Sequence, residues 1–391
     1  MIYVGIDVAK DKHDCHIFDS DGIVHHDHFS FPNSRDGFEK FLTLVSELAK
    51  QQGDKLKLGL EDTGHYSSNL LEFLVANGLD VVRFNPLSVN RSRTASTLRK
   101  TKNDKGDARQ IAVLLVATTT KYCNEPSQSI LSLKSLTRAR YRLVKELQPL
   151  KNRYRRLLHL LFPEFQGFFT SHYANTALNL FALLPGAQPI AACDIRKLTA
   201  LIKSFSHGKH GRARAEKLKE LAKNSIAFHN SGSACELALM AERILFSEKQ
   251  CGKLEAEITA IMQELNSPIV TIKGIGTILG ATILAEIGDI HSFSTSAKLL
   301  AFAGAEPSTY QSEKFTATRT PMVKRGSRYL RNALYLATNS CFLHNSVIRD
   351  HVKKKRAEGK HHFIAMSHGM KKITRIVFAI LSKNIPYSDS V

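Results

Sequence analysis

The sequence predicts an α/β domain at the N-terminus, a helical middle built on coiled-coil seams, and a mainly α-helical C-terminal domain. Three observations carry this. Tyr3-Val4-Gly5-Ile6-Asp7-Val8 opens a series of short strand-like runs that alternate with helical patterns. Two long stretches, Leu133 to Leu161 and Leu237 to Leu265, place apolar residues on a 3-4 repeat. Beyond Asn266-Ser267-Pro268 helical periodicity prevails. With a second boundary at Glu125-Pro126-Ser127, the 391 residues divide into domains at 1–125, 126–266 and 267–391.

Met1–Lys10 reads as the first strand and Asp11-Lys12-His13-Asp14 as the turn after it. Cys15–Asp19 and Ile23–Phe31 make the next two strands across a hairpin turn at Ser20-Asp21-Gly22. Ser34 stands as N-cap of a helix whose Phe38, Phe41, Leu42, Val45 and Leu48 share a face, and Gly53 closes it. Lys55–Glu61 alternates Leu56, Leu58 and Leu60 as a fourth strand. Ser67–Ala76 is a helix, and Leu79–Phe84 a fifth strand stopped by Asn85-Pro86. A further helix starts at Asn103 and runs through Ile111, Ala112, Leu114 and Leu115. Three hairpin-connected strands, then helix–strand–helix–strand, is the RNase H/RuvC-like order, with antiparallel and parallel pairing mixed.

In the middle, Leu133, Leu136, Leu143, Leu147, Leu150, Leu157 and Leu161 form one seam, with an expected kink at Pro149. Leu237, Met240, Ile244, Cys251, Leu254, Ile258, Ile261 and Leu265 form the second, with Ser247 its one polar member. The seams can cover each other as a plain helical hairpin, or cover another protomer, so a homo-oligomer (dimer or tetramer) is expected to form here. Further on, Lys273-Gly274-Ile275-Gly276-Thr277 before an apolar helix resembles a helix–hairpin–helix element, whose turn offers backbone N–H groups to a phosphate. Phe293–Ala303 is a helix, Gly304–Ser312 a polar loop, and Lys324–Arg331 a basic lead into a helix over Asn332–Leu343. A basic run, Lys353–Arg356, and an amphipathic helix through Ile373, Ile376, Val377 and Ile380 follow.

Lys and Arg number 55 against 35 Asp and Glu, a net charge of +20. Such an excess points to a polyanionic partner. A membrane is excluded as the spanned medium because no uninterrupted apolar run approaches about 18 residues. No signal region precedes the first strand, so a cytoplasmic location is expected. The cysteines, at 15, 123, 193, 235, 251 and 341, form no Cys-x-x-Cys pair and read as reduced thiols. His25-His26 and His361-His362 lack metal-ligand spacing.

Asp7 sits within a strand, where a carboxylate is costly unless solvated, paired or on a metal. The plain alternative is that it ends the strand. Glu61 closes a later strand, and Asp104 and Asp107 are three apart, on one helix face. Acidic residues there also simply complement a helix dipole. Taken together, Asp7, Glu61, Asp104 and Asp107 are the set that a two-metal nucleic-acid-cutting site needs, holding Mg²⁺ ions roughly 3.5–4 Å apart. Candidate phosphate contacts are Lys102, Arg109, Lys273, Gly274, Gly276, Lys324, Arg325 and Arg328.

Six motifs in order resemble the IS110-family transposases, the DEDD recombinases related to the Piv invertase. Gly5–Lys10, Glu61-Asp62-Thr63-Gly64 and Lys102–Arg109 resemble that family's acidic motifs. Gly274-Ile275-Gly276, Ala301–Gly304 with Tyr310-Gln311-Ser312, and Lys324–Arg331 resemble its second domain. The resemblance implies two Mg²⁺ ions and a serine, Ser312, that attacks the DNA phosphate and holds the strand covalently. Ser308 is the alternative nucleophile. The resemblance also implies a non-coding guide RNA, encoded by the element, that pairs with the DNA. Two positions depart from the family: Glu313 follows Ser312 where glycine is usual, and Asp62 follows Glu61 where a small residue is usual. The competing functions are a RuvC-like hydrolytic junction nuclease, which has no use for Ser312, and a non-catalytic nucleic-acid-binding protein.

Overall fold

Ile2, Val4, Ile6 and Val8 alternate along the first strand, β1 (Ile2–Val8), and all four are buried on one face. The structure, a computed structural model, describes residues 1–61, 66–96, 104–117, 127–308, 311–312, 315–316 and 321–388. The chain divides into two units, Met1–Glu125 and Pro126–Val391.

In the first unit, β2 (Lys12–Asp19) pairs antiparallel with β1, and β3 (Val24–Pro32) antiparallel with β2. On the other side, β4 (Leu56–Glu61) and β5 (Val81–Phe84) add in parallel, giving the order β3-β2-β1-β4-β5. α1 (Arg35–Gln52) begins where expected, with the Ser34 hydroxyl accepting the Gly37 N–H at 3.2 Å. With α2 (Tyr66–Ala76) it supplies Phe41, Val45, Leu70 and Leu74 to a core against Ile6, Ile17, Leu58 and Leu60. Two further helices follow, α3 (Pro86–Ser96) and α4 (Asp104–Ala117). α4 packs on the opposite sheet face, where Ile111 and Leu115 meet Val82 and Phe84.

Two local features differ from expectation. β2 starts inside the stretch read as a turn, because Val8 pairs with His13 and Asp7 with Asp14. Pro86 does end β5, but its fixed φ also suits the first turn of a helix, and the Asn85 carbonyl accepts the Ser88 and Val89 N–H groups at 2.8 and 3.2 Å.

His13 is fully buried, its ring 5.3 Å from Phe31 and 5.8 Å from Phe38. Its nitrogens make no well-formed hydrogen bond among the described residues, although Asn33 lies near enough to offset the burial in part. Burial therefore holds its pKa below the usual value near 6.5. The unfolded chain takes up this proton first on acidification. The stability from a neutral His13 is thus complete above about pH 6.5 and is lost as pH falls through the lower folded value. His13→Leu is expected to flatten the fall in thermal midpoint of the first unit between about pH 7 and about pH 5. An unchanged slope would locate the acid sensitivity elsewhere.

In the second unit, α5 (Gln128–Leu161) runs through Pro149 as one helix and lies antiparallel to a long partner. Four shorter helices intervene: α6 (Asn175–Leu183), α7 (Ala187–Ala192), α8 (Ile195–Phe205) and α9 (Arg212–Lys223). The partner is α10 (Ser231–Leu265). Arg140 meets Glu255 at 2.7 Å and Lys151 meets Glu248 at 2.6 Å, so the two helices pack on each other within one chain, while Leu136, Leu143, Leu254 and Ile261 of the seams stay half-buried. Two separate cores result. Leu147, Tyr154 and Leu157 join Met240 and Ile244 and the short helices at one end. At the other end Ile130, Leu133, Ile258 and Met262 join the C-terminal helices. Those are α11 (Thr277–Ile287), α12 (Ser296–Phe302), α13 (Arg328–His344), α14 (Ser346–Ala357) and α15 (His362–Lys383). No helix among the described residues is long and apolar enough to cross a membrane.

Candidate functional site

Gly5 decides where α4 lies. A Cβ there would stand 2.2 Å from the Ala108 carbonyl oxygen and 2.4 Å from the Ala112 nitrogen, so the helix backbone rests directly on β1. Side chains alternate along a strand, and Asp7, two residues on, projects to the same face as α4. Gly59 does the same on β4: its Cβ would meet Phe84 and Leu115 at 2.8 and 2.9 Å, and Glu61 lies two residues beyond. β1 and β4 are in register from Ile2↔Leu56 to Ile6↔Leu60. Asp7 and Glu61 are the next residues on each, level on neighbouring strands about 4.8 Å apart.

Asp107 immediately precedes Ala108 and is buried. It takes Arg93 of α3 at 3.0 and 3.3 Å. Asp104 opens α4; its side chain, with Lys102, Asn103 and Asp62, lies outside the described residues. Arg109 and Gly106 are exposed. Among the described residues no three acidic, imidazole or thiol groups converge on a point that would hold an ion. In type, the donors suit a hard cation: Asp7, Glu61 and Asp107 bring carboxylate oxygens to one side of the sheet, and Arg93 pairs with Asp107.

A residue missed in the sequence stands beside them. Asp14 is level with Asp7 on β2 and faces the same way, on the side opposite Glu61. It is 1% exposed, and His28 meets it at 2.8 Å and Lys12 at 3.3 Å. Burial alone would raise its pKa; hydrogen bonds from Ser30, His28 and Lys12 prevail and hold it below the usual carboxylate value. The signal was available in the alternation of Cys15 and Ile17 with Asp14 and His16, which marks a strand rather than a turn.

In the second unit, the expected polar loop is a paired ladder. Lys324 N–H donates to the Gly304 carbonyl at 3.0 Å, Val323 to Glu306 at 3.0 Å, and Ser308 to Pro321 at 2.8 Å. Beyond them β6 (Gln311–Ser312) pairs with β7 (Phe315–Thr316), Ser312 facing Phe315 in register. Glu313 and the Ser312 side chain lie outside the described residues.

The base of the ladder is anchored. The Ser327 hydroxyl caps α13 by accepting the Leu330 N–H at 3.1 Å, and it donates to Glu286 at 2.6 Å. Buried Glu286 also takes Arg138 of α5 at 2.5 and 2.9 Å. Arg331 donates to the Ala303 and Lys324 carbonyls at 3.0 and 3.3 Å. Lys324 and Arg325 are exposed. Arg328 lies over the Tyr329 ring at 4.9 Å and donates to its hydroxyl at 2.9 Å, which holds the phenol pKa down. Gly274 has a packing reason: at φ +100° its Cβ would come 2.8 Å from the Cys341 Cα. Gly276 and Lys273 are exposed at the start of α11.

Comparison with known proteins agrees with both halves. The profile of the IS110-type DEDD transposases matches residues 4–163, and that of the IS116/IS110/IS902 transposase family matches residues 266–353. The chain is 25% identical to the 44.8 kDa protein of insertion element IS116 from Streptomyces clavuligerus, over 97% of this chain and 94% of that one. It is 24% identical to the pilin gene-inverting protein of Moraxella bovis, over 100% and 98%. With two family profiles matched in order over more than half its length, the chain belongs to the IS110 family of transposases.

Proposed function

We propose that this protein is the DNA recombinase of an insertion sequence, with an RNase H/RuvC-like first unit whose carboxylates bind two Mg²⁺ ions. One observation carries the reading: Asp7 and Glu61 stand level on adjacent parallel strands, under the helix that brings Asp107 to the same face. Asp7, Glu61, Asp104 and Asp107 would hold the ions. When bound, such ions polarise a scissile phosphate and stabilise the charge that builds on its oxygens.

The chain's own residues supply the rest. Ser312 gives up its proton as its Oγ bonds to phosphorus, and the bond from phosphorus to the deoxyribose oxygen breaks. The departing oxygen takes up a proton. One phosphodiester replaces another, so the bond is conserved for rejoining to a second strand. Exposed Lys324 and Arg325 position the phosphate, and Arg328 does so when it leaves Tyr329. Gene inversion, which the Moraxella relative's name describes, requires rejoining as well as cutting, and this favours a serine nucleophile over water. The proposal includes a guide RNA carrying target choice, for which the charge of +20 suits either nucleic acid. It also includes a homo-oligomer, dimer or tetramer, formed through the helical middle, 126–266, where Leu136, Leu143, Leu254 and Ile261 of the seams stay half-buried.

A cleavage assay on a cognate DNA junction, read on denaturing gels, separates the possibilities. A protein–DNA adduct is expected. Free cut ends without an adduct would indicate a hydrolytic nuclease, and tight binding without cutting a non-catalytic protein.

A further inference from the structure

α14 and α15 pack side by side and flank an open hollow of about 600 Å³. Its lining includes His351 from α14 and His368, Lys371, Lys372, Arg375 and Ile376 from α15. Ile376 is buried, and His351, His368 and Lys372 are half-buried. Lys372 is drawn inward and donates to the Val347 carbonyl at 3.3 Å. The charges of Lys355 and Lys372 act on His351, and those of Lys355, Lys360 and Lys371 on His368. The carboxylate near both histidines is Glu358, and Lys355 already holds it at 2.8 and 3.0 Å.

This arrangement is unfavourable in the free protein. Cations on neighbouring helix turns repel one another, and two imidazoles are withdrawn from water beside them. A basic run on a fully solvated face avoids that penalty, because its charges spread into solvent. Here His351, His368, Lys371, Lys372 and Arg375 border one hollow, over Ile376 and Ala379, and contribute donors rather than acceptors, apart from the histidine ring nitrogens. The group that matches is an anion with several oxygens.

We propose that the α14–α15 cavity seats a phosphate of a nucleic-acid backbone and grips it more tightly when His351 and His368 are protonated. This rests on the reading of the chain as a DNA-handling protein, and it adds a contact outside the Ser312 ladder and its basic base. The bound phosphate offsets the repulsion from Lys355, Lys360, Lys371 and Lys372. In the free protein both histidines titrate below the usual range, first because of burial and then because of those lysines. A phosphate raises both values, so binding draws in protons. The additional affinity is present below the bound-state pKa values and is lost above them.

The test uses the full-length protein and a short fluorescent DNA duplex of arbitrary sequence, followed by anisotropy. Wild type is expected to bind about tenfold more tightly near pH 6 than near pH 8. His351→Gln with His368→Gln should remove most of that gain, so that the variant's affinities near pH 6 and near pH 8 differ by less than about threefold. Lys371→Gln, Lys372→Gln and Arg375→Gln together should lower the slope of log affinity against log salt by about 2 to 3. Circular dichroism checks folding; removal of repelling cations should raise the thermal midpoint of the free protein. The proposal is overturned if the histidine variant keeps the full gain on acidification, or if the triple variant keeps the wild-type salt slope. If these substitutions instead abolish capture of polyglutamate and leave DNA binding intact, the cavity belongs to an acidic protein segment, and the proposal is likewise wrong. Loss of cutting with these binding effects intact would count against the recombinase chemistry and not against this site.

Discussion

Asp7→Ala is expected to lower strand cleavage by about 10³-fold or more, equivalent to about 4 kcal/mol of barrier, while DNA affinity and its salt dependence stay near wild type. The position is exacting because Gly5 fixes α4 against β1, so Asp7 and Glu61 share their face of the sheet with Asp107. Asp7→Asn should be nearly as damaging, since an amide keeps the shape but loses the charge that attracts a divalent ion. Glu61→Ala should match it. Cleavage on the cognate junction, set beside anisotropy with the same DNA, is the measurement. Near-normal recombination by either alanine variant would remove the carboxylates from the chemistry.

The second large effect concerns Ser312. Ser312→Ala is expected to eliminate the covalent protein–DNA adduct, because alanine offers no oxygen to phosphorus. Ser312→Cys should retain a trace. Ser308→Ala should leave the adduct in place, since Ser308 pairs with Pro321 nearer the base of the ladder. A mixture of Ser312→Ala and Asp7→Ala proteins tests whether the two units act across protomers. Restored cleavage places them in trans, and dead mixtures of co-assembling proteins place them in one chain. An adduct that survives Ser312→Ala would defeat the assignment outright.

Much of this was legible because it is local. Ser34 and Gly53 bracket α1 by capping chemistry that any reader of the sequence can apply. Leucine alternation gives β4, and the 3-4 repeats give α5 and α10. What stayed hidden depends on partners distant in sequence. Asp14 reads as a turn residue until His28 and Ser30, on another strand, are seen to satisfy it. Gly5 shows its role only where Ala108 and Ala112 fill the space of its missing side chain. Gly274 reads as a phosphate-binding turn, and its close approach to Cys341 supplies a packing reason beside that one. Arg93 reads as one more cation in a basic stretch, and only the structure sets it on Asp107. The polarity of Gly304–Ser312 suggests a loop, yet Gly304, Glu306 and Ser308 pair through their backbones with Lys324, Val323 and Pro321, a match that no side-chain pattern announces.

The α5–α10 pair also has a mechanical side. Helices of 34 and 35 residues are each about 50 Å long. Their two ends are embedded in different cores, one among the C-terminal helices and one among α6 to α9. Arg138 fastens α5 to Glu286, which also holds the serine that caps α13 at the foot of the Ser312 ladder. The pair is thus a lever with its fulcrum beside that ladder. From Arg138 to the end of α5 the arm is about 35 Å, so a tilt of about 5° at the fulcrum carries the far lobe by about 3 Å. Equally, a load on the far lobe is delivered, with mechanical advantage, to the hydrogen bonds that aim the ladder carrying Ser312.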